Sequence, residues 1–169
     1  MSVATSITEE EYLRTSYPDR EYRNGEVLEP GMLSLSHGDL QTGLGTYFRI
    51  RQKEWNIYAS VGLTIRARER WFPIPHVCVY LRPIPERTSP LGPPFLWIEI
   101  ISPSDKFAEV WEKARDAIRC GTPYFWIIEP NTLESELWTA SGTTRITDRT
   151  LRIPDSPIIV PLDDVPLEE

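Results

Sequence analysis

The segment from residue 95 to residue 130 constrains the fold most, because two strand-like runs flank a strongly amphipathic helical pattern. The runs 95–102 ("FLWIEIIS") and 122–130 ("TPYFWIIEP") are rich in β-branched and aromatic residues, which is typical of strands. A strand, a helix and a second strand in this order predict parallel strands joined by a right-handed crossover. The helix is predicted within 104–121, with Gly121 at its end and a buried stripe of Phe107, Val110, Ala114, Ala117 and Ile118.

The chain before this segment predicts two helices, a hairpin and two strands. Thr8 followed by Glu11 has the pattern of a capping box at the start of the first helix. Asn24 and Gly25 predict a tight hairpin turn, since both residues tolerate positive φ. The second helix is predicted from an apolar stripe of Leu40, Leu44, Tyr47 and Phe48, with glycines at 43 and 45 that allow close packing, and strands are predicted within 56–68 and 74–81.

The chain after residue 130 predicts peripheral elements. Antiparallel strands are expected at 135–140 and 149–154, and the acidic, proline-interrupted tail from about residue 154 is expected to be draped or frayed. The proline-rich link 82–95 predicts a surface loop. The expected class is α/β, with a mixed central β-sheet flanked by helices in a single domain, 1–169.

Composition and charge narrow the possible functions. The net charge is −7 and the pI is about 5.0, which argues against binding nucleic acid through a broad basic surface. A local basic groove, or a metal ion that bridges to phosphate, remains compatible with these values. The sequence lacks a run of about 18 apolar residues and the pattern of a signal peptide, and its two cysteines do not suggest a disulfide framework. We therefore expect a cytoplasmic protein without a membrane segment.

Glu99 is the most informative polar residue, because it interrupts an apolar strand between Ile98 and Ile100. A carboxylate in this position is unfavourable unless it is paired or binds a cation. One interpretation is a metal ligand. The other is a buried carboxylate satisfied by backbone donors or by a lysine.

Three further residues have both a functional and a structural interpretation. His76 begins the apolar run "HVCVYL", either as a metal ligand or as a core residue with one hydrogen-bond partner. His37 opens the second helix, where it could simply donate to a nearby carbonyl. Lys113 borders the apolar stripe of the third helix and could be a lysine with a solvated head group. Nucleophile elbows, phosphate-binding glycine loops and CxxC pairs do not occur in the sequence.

The order of the motifs resembles the restriction endonuclease-like family that forms a branch of the PD-(D/E)XK nuclease superfamily. The resemblance covers roughly residues 7–140, and its most specific part is "IEIISPSD", a lysine-bearing helix and then "GTPYFWIIEP". The other matching pieces are "EEEYL", "EYRNGEVLE" and the Ser-His start of the second helix. The resemblance implies a restriction endonuclease-like fold and metal-dependent hydrolysis of nucleic-acid phosphodiester bonds, with DNA as the expected partner.

The resemblance also implies roles for individual residues. Glu99 matches the strand glutamate that holds Mg²⁺ or Mn²⁺, and Lys113 matches the lysine that offsets charge in the transition state. In the wider superfamily this lysine follows the acidic residue by two positions, where this chain has Ile101. His37 matches the histidine that opens the first long helix. Glu26 is a weaker candidate for a supporting carboxylate, and an ordinary surface charge is the favoured interpretation.

The sequence departs from the family pattern at His76. The pattern has an aspartate after the second proline, whereas this chain has Pro75-His76-Val77. An imidazole removes one negative charge and one oxygen ligand, so the expected preference moves from Mg²⁺ toward Zn²⁺, Mn²⁺, Co²⁺ or Ni²⁺. The expected metal ligands are Glu99 and His76, and the expected catalytic residues are these two with Lys113 and His37.

Three hypotheses follow for this site. The first is a metal-dependent endonuclease with an altered metal preference. The second is a degenerate nuclease fold that has lost catalysis and binds nucleic acid or a protein partner. The third is a satisfied core contact in which His76 is hydrogen-bonded to Glu99. Proteins of the superfamily often form dimers, so a homodimer through the proline-rich link or the peripheral strands is a further expectation.

Overall fold

The computed structural model describes residues 6–15, 20–29, 31–84 and 90–168. Residues 85–89, which belong to the predicted proline-rich loop, lie outside the described residues. The elements run in the order α1 (Glu9–Arg14), β1 (Glu21–Arg23), β2 (Glu26–Leu28), α2 (Leu35–Arg51), β3 (Ile57–Val61), β4 (Trp71–Phe72), β5 (Val77–Leu81), β6 (Leu96–Ile100), α3 (Phe107–Arg119), β7 (Tyr124–Ile128), β8 (Ser135–Thr139), β9 (Gly142–Ile146), β10 (Thr150–Arg152), β11 (Ile159–Pro161) and a 3₁₀ turn (Leu162–Asp164).

A six-stranded mixed sheet in the order β3-β5-β6-β7-β8-β9 forms the centre of the molecule. Strands β6 and β7 pair in parallel across the α3 crossover, and the other neighbours in this sheet pair antiparallel. The predicted α/β class and the parallel unit around α3 are therefore confirmed. Because β5 and β6 are antiparallel, the start of β5 lies beside the end of β6.

The two long helices cover opposite faces of this sheet. Side chains alternate along β5, so Val77 and Val79 pack in the core on the α2 side. Cys78 and Tyr80 pack on the α3 side together with Trp97. Glu99 lies on this same face of the sheet, where it contacts the Trp97 indole.

Helix α2 packs very closely against the rest of the chain. Its predicted stripe is buried, and the predicted role of its glycines in close packing is also confirmed. A Cβ atom on Gly43 would lie 2.5 Å from the Pro166 carbonyl oxygen, and one on Gly45 would lie 2.5 Å from a Val61 methyl group. The C-terminal segment therefore rests directly on the backbone of α2.

A small sheet in the order β2-β1-β4 lies outside the central sheet. The hairpin turn has φ of 52° at Asn24 and 102° at Gly25, as the sequence predicts. The predicted capping box is also present, since Thr8 and Glu11 bond each other's backbone N–H groups. Tyr22 anchors the hairpin by packing with Tyr12 and Phe72, which fixes the position of Glu21 beside it.

Three expectations are corrected or resolved. Of the stripe predicted for α3, Ala114 and Ala117 are buried and Val110 and Ile118 are half-buried. Phe107 is 55% exposed, not buried, because it begins α3 and no preceding helical turn covers its ring. Strand β9 was not predicted, and it forms an edge of the central sheet next to β8. The tail is draped rather than frayed: β10 pairs with β11, and the tail's buried residues Ile158, Val160, Leu162 and Val165 belong to the core on the α2 side.

None of the helices in the described parts of the chain is long and apolar enough to cross a membrane.

We predict that Gly43→Ala destabilises the protein by about 1–3 kcal/mol, because the new methyl group would overlap a backbone carbonyl that cannot move alone. The matched control is Gly38→Ala in the same helix, where a Cβ atom meets nothing within 4 Å. That variant should be more stable than the wild type by about 0.5–1 kcal/mol. Urea unfolding measures both changes, and similar effects from the two variants would contradict the packing described for Gly43.

Candidate active site

A groove of about 580 Å³ lies where the end of β6 and the start of β5 meet α3 and the small sheet. This volume is within the usual range for ligand sites. Separate elements supply the polar side chains in it: Glu21 from β1, His76 from the residue before β5, Glu99 from β6 and Lys113 from α3. The fold thus brings together residues that are far apart in the sequence.

Glu99 is the centre of this cluster, and its side chain is only 6% exposed. Its Oε1 atom accepts a hydrogen bond from the Trp97 indole N–H at 2.7 Å and lies 2.9 Å from Lys113 Nζ. Its Oε2 atom lies 2.9 Å from His76 Nδ1. Both carboxylate oxygens therefore have polar partners within the protein.

Lys113 connects Glu99 to a second carboxylate. Its Nζ atom donates to Glu21 Oε1 at 2.8 Å, and the side chain is 19% exposed. Glu21 Oε1 also accepts a hydrogen bond from the backbone N–H of Ile74 at 3.1 Å, so α3 and the link between β4 and β5 both hold this carboxylate in place. The ammonium is thus held between two carboxylates and is not the solvated head group of the structural interpretation.

Charge compensation sets the protonation states of Glu99 and Lys113. Burial alone would raise the pKa of Glu99, but the charges of Lys113 and His76 and their hydrogen bonds hold it well below its ordinary value. Burial alone would lower the pKa of Lys113, but the Glu21 and Glu99 carboxylates raise it above its ordinary value. The pair is therefore ionised at neutral pH.

His76 has two possible hydrogen-bonding states. Its Nδ1 atom lies 2.9 Å from the Ile100 backbone nitrogen and also 2.9 Å from Glu99 Oε2. One ring nitrogen can accept from Ile100 or donate to Glu99, but it cannot do both. Gln41 and Gly62 donate to the backbone oxygen of His76, which fixes the residue between α2 and β3 while the ring can change its proton position.

His37 lies behind His76 and is fully buried. The two rings meet edge to face with their centroids 4.4 Å apart. Neither ring nitrogen of His37 makes a hydrogen bond of standard geometry among the described residues, although the nearby Ile101 carbonyl favours the protonated ring. Burial and the neighbouring His76 outweigh that effect and lower the pKa of His37, so its ring is neutral at neutral pH.

The structure brings some of the predicted site residues together and leaves others apart. Glu99, His76 and Lys113 meet around one carboxylate, whereas His37 reaches this group only through the ring of His76. The weaker candidate, Glu26, is exposed on β2 and is not among the described residues that line the groove. Their functional roles remain predictions.

Glu21 is the member of the cluster that the sequence did not suggest. It occupies a short hairpin strand rich in charged residues, where an exposed glutamate is the ordinary expectation. Its pairing with Lys113, 92 positions away, follows only from the packing of the small sheet against α3.

The donor set limits how a metal ion could be held. Within the described ranges, no group of three or more His, Cys, Asp or Glu side chains is placed to hold a metal ion. Glu99 and His76 could offer one carboxylate and one imidazole, and Lys113 now takes one of the carboxylate oxygens. The residues are therefore too few for a complete metal centre built by the protein alone.

Carboxylates dominate the lining of the groove. Arg23 and Lys113 are its two permanently cationic residues among those described, and both are in ion pairs. A polyanion would enter this groove only if a cation were supplied or released. The carboxylates that line it are Glu21, Glu29, Glu99, Asp105, Glu109 and Glu112.

Comparison with known proteins identifies the class and then the family. A solved structure from Anabaena variabilis, described as a putative nuclease belonging to DUF820, superposes with a TM-score of 0.75 at 20% identity, covering 94% of this chain and 97% of that chain. This likeness shows a shared fold. A family model described as "Putative restriction endonuclease" matches residues 9–162, and the chain belongs to this family, Uma2. The family predicted from the motifs is therefore confirmed. No match was found among curated proteins.

We predict that Lys113→Met destabilises the protein by about 3–5 kcal/mol at pH 7, because it leaves the buried Glu99 charge without its main counterion. The loss should shrink as the pH falls. In the wild type, the lowered pKa of Glu99 contributes stability above the ordinary glutamate pKa, and this contribution is lost as the pH falls through the lowered value. Without Lys113, the pKa of Glu99 is higher than in the wild type, so the carboxyl group is neutralised at a higher pH.

Urea unfolding of both proteins at pH 7 and near pH 4.5 measures this difference. The matched control is Lys106→Met, which removes a 79% exposed lysine paired with Glu109 and should change the stability by less than about 0.5 kcal/mol. A loss for Lys113→Met that is equal at both pH values would contradict the charge assignment.

Proposed function

We propose that the protein is an endonuclease that hydrolyses phosphodiester bonds of nucleic acid, with DNA as its substrate, in the groove around Glu99. The observation that carries the proposal is the buried Glu99–Lys113 pair, whose ammonium lies in the groove and is held within 2.9 Å of the carboxylate. Membership in a family described as restriction endonucleases supports the same reaction. A buried ion pair of this kind is a weak device for stability alone.

The residues of the chain have distinct roles in this proposal. Lys113 binds a non-bridging phosphate oxygen and offsets the charge that develops on the phosphorane-like transition state. Glu21 and Glu99 orient the ammonium through their contacts at 2.8 and 2.9 Å. His76 contributes its ring as one ligand of the divalent ion described below, and the hydrogen bonds from Gln41 and Gly62 to its backbone oxygen hold the residue in place.

Glu99 and His76 are the residues that would hold a divalent cation. Such an ion supplies Lewis-acid stabilisation of the phosphate and lowers the pKa of bound water. A carboxylate with an imidazole suits Mn²⁺, Co²⁺, Ni²⁺ or Zn²⁺ better than Mg²⁺, whose preferred ligands are oxygens. Because the chain offers only these two groups there, the remaining ligands would be water and substrate phosphate.

A second candidate function is a binding module that retains the nuclease fold without turnover. One observation favours it: both oxygens of Glu99 already have partners in Trp97, Lys113 and His76. In this case the groove binds nucleic acid or a protein partner, and His76 marks the loss of a catalytic ligand. The same cleavage experiment separates the two candidates.

We predict that the wild-type protein cleaves plasmid or single-stranded DNA when Mg²⁺, Mn²⁺, Co²⁺ and Ni²⁺ are tested one at a time. The cleavage rate should be higher with Mn²⁺, Co²⁺ or Ni²⁺ than with Mg²⁺. Glu99→Gln and Lys113→Ala should each lower the rate about 100-fold or more, since each removes a charge at the reacting phosphate. Gel electrophoresis of the products measures the rate. Circular dichroism checks that each variant is folded.

The control for this assay is Glu54→Ala, which removes an exposed carboxylate after α2 and should leave the rate unchanged. Unchanged cleavage in both Glu99→Gln and Lys113→Ala would remove the site assignment. An inactive wild type with cleavage restored in His76→Asp would reject the endonuclease proposal and favour the binding module.

A further inference from the structure

The ammonium of Lys113 occupies the place in the groove where two carboxylates converge. Its Nζ atom lies 2.8 Å from Glu21 Oε1 and 2.9 Å from Glu99 Oε1. The same ammonium lies 5.7 Å from the centroid of the Trp97 ring, which adds a favourable cation–π contact. The ammonium thus compensates the charge of these carboxylates, as a bound metal ion does in other proteins.

The position of the Lys113 ammonium disfavours a divalent ion beside Glu99, even though carboxylates dominate the groove. The carboxylates of Glu21 and Glu99 face the one ammonium of Lys113, which leaves one net negative charge. His76 adds no negative charge in either protonation state. A divalent ion bound to Glu99 Oε1 would lie close to the ammonium, which is 2.9 Å from that oxygen, and the two cations would repel each other.

A phosphodiester changes this balance. Its anionic oxygens can accept hydrogen bonds from the Lys113 ammonium. Glu99 Oε1 is then free to bind another ligand. The same phosphate supplies oxygen ligands that the chain lacks, since the described residues offer no group of three ligating side chains. The polyanion and the divalent ion should then assist each other's binding.

We infer that Lys113 is the resident cation of the free protein and that a divalent ion enters the site only together with a phosphodiester. His76 is the residue that keeps the free site closed to the ion. A carboxylate in its place would add one negative charge and one oxygen donor directly beside Glu99 Oε2, from which the ring of His76 is now 2.9 Å away. One substitution should thus convert the site into one that holds a divalent ion without substrate. The inference rests on the proposed function for the nature of the anion.

Isothermal titration calorimetry with Mn²⁺ tests this inference without measuring cleavage. The free wild-type protein should show no binding up to about 1 mM Mn²⁺. With a saturating phosphorothioate oligothymidylate, a short DNA that resists hydrolysis, the affinity for Mn²⁺ should increase at least about tenfold. The variant His76→Asp should bind Mn²⁺ without the oligonucleotide.

Two controls separate charge from other effects. His76→Asn provides an oxygen donor of similar shape without the negative charge, and it should not bind Mn²⁺ in the free protein. Thr143→Asp adds a carboxylate on the exposed edge strand β9, outside the groove, and should behave as the wild type does. Thermal unfolding of each variant without metal shows that it is folded, and Mn²⁺ should raise the unfolding temperature of free His76→Asp alone.

Binding of Mn²⁺ by the free wild type that is lost in Glu99→Gln would overturn the inference. So would the absence of Mn²⁺ binding in the presence of the oligonucleotide, or its absence in a folded His76→Asp variant. These outcomes differ from failure of the proposed function. A protein that shows the linked binding but never cleaves DNA contradicts hydrolysis alone, and a protein that cleaves but binds Mn²⁺ without the oligonucleotide contradicts only the inference.

Discussion

The burial of one carboxylate determines the arrangement around the groove. Glu99 lies in the middle of the central sheet with 6% of its side chain exposed, and an uncompensated charge there would be very unfavourable. Three polar partners offset this penalty: Trp97 on the same strand, Lys113 on α3 and His76 before β5. The docking of α3 on the sheet and the site at the end of β6 are therefore two aspects of one electrostatic requirement.

The sequence predicts the framework of this site because its elements follow from local patterns. Apolar runs, the amphipathic pattern of α3 and the Asn24-Gly25 turn each specify their own element, and together they imply the parallel crossover. The resemblance to the family, and not the local pattern, predicts that His76 lies beside Glu99. Strand β9 has no comparable signal, because all but its last residue are exposed and its position depends on pairing with β8.

Long-range contacts explain what the sequence could not predict. Nothing in the neighbourhood of Glu21 indicates that it pairs with a lysine on α3, since a charged residue in a hairpin normally faces water. Lys113 has the same ambiguity, because a lysine at the border of an apolar stripe can extend to solvent or turn inward. The choice between these states is made by charge partners from another part of the chain. Resemblance to a family identifies such residues by position, whereas the contacts give their physical reason.

The position of Glu21 on the small sheet has a consequence for how the groove responds to changes at the N-terminal part of the chain. Among the described residues, no strand of that sheet pairs with the central one. The side chains of β1 connect it to α3 instead, through Glu21 with Lys113 and Arg23 with Asp116. Separation of β1 from β4 would leave the central sheet paired, yet it would return Lys113 entirely to Glu99. The hairpin thus carries one of the two carboxylates that set the electrostatic potential around Lys113 in the groove.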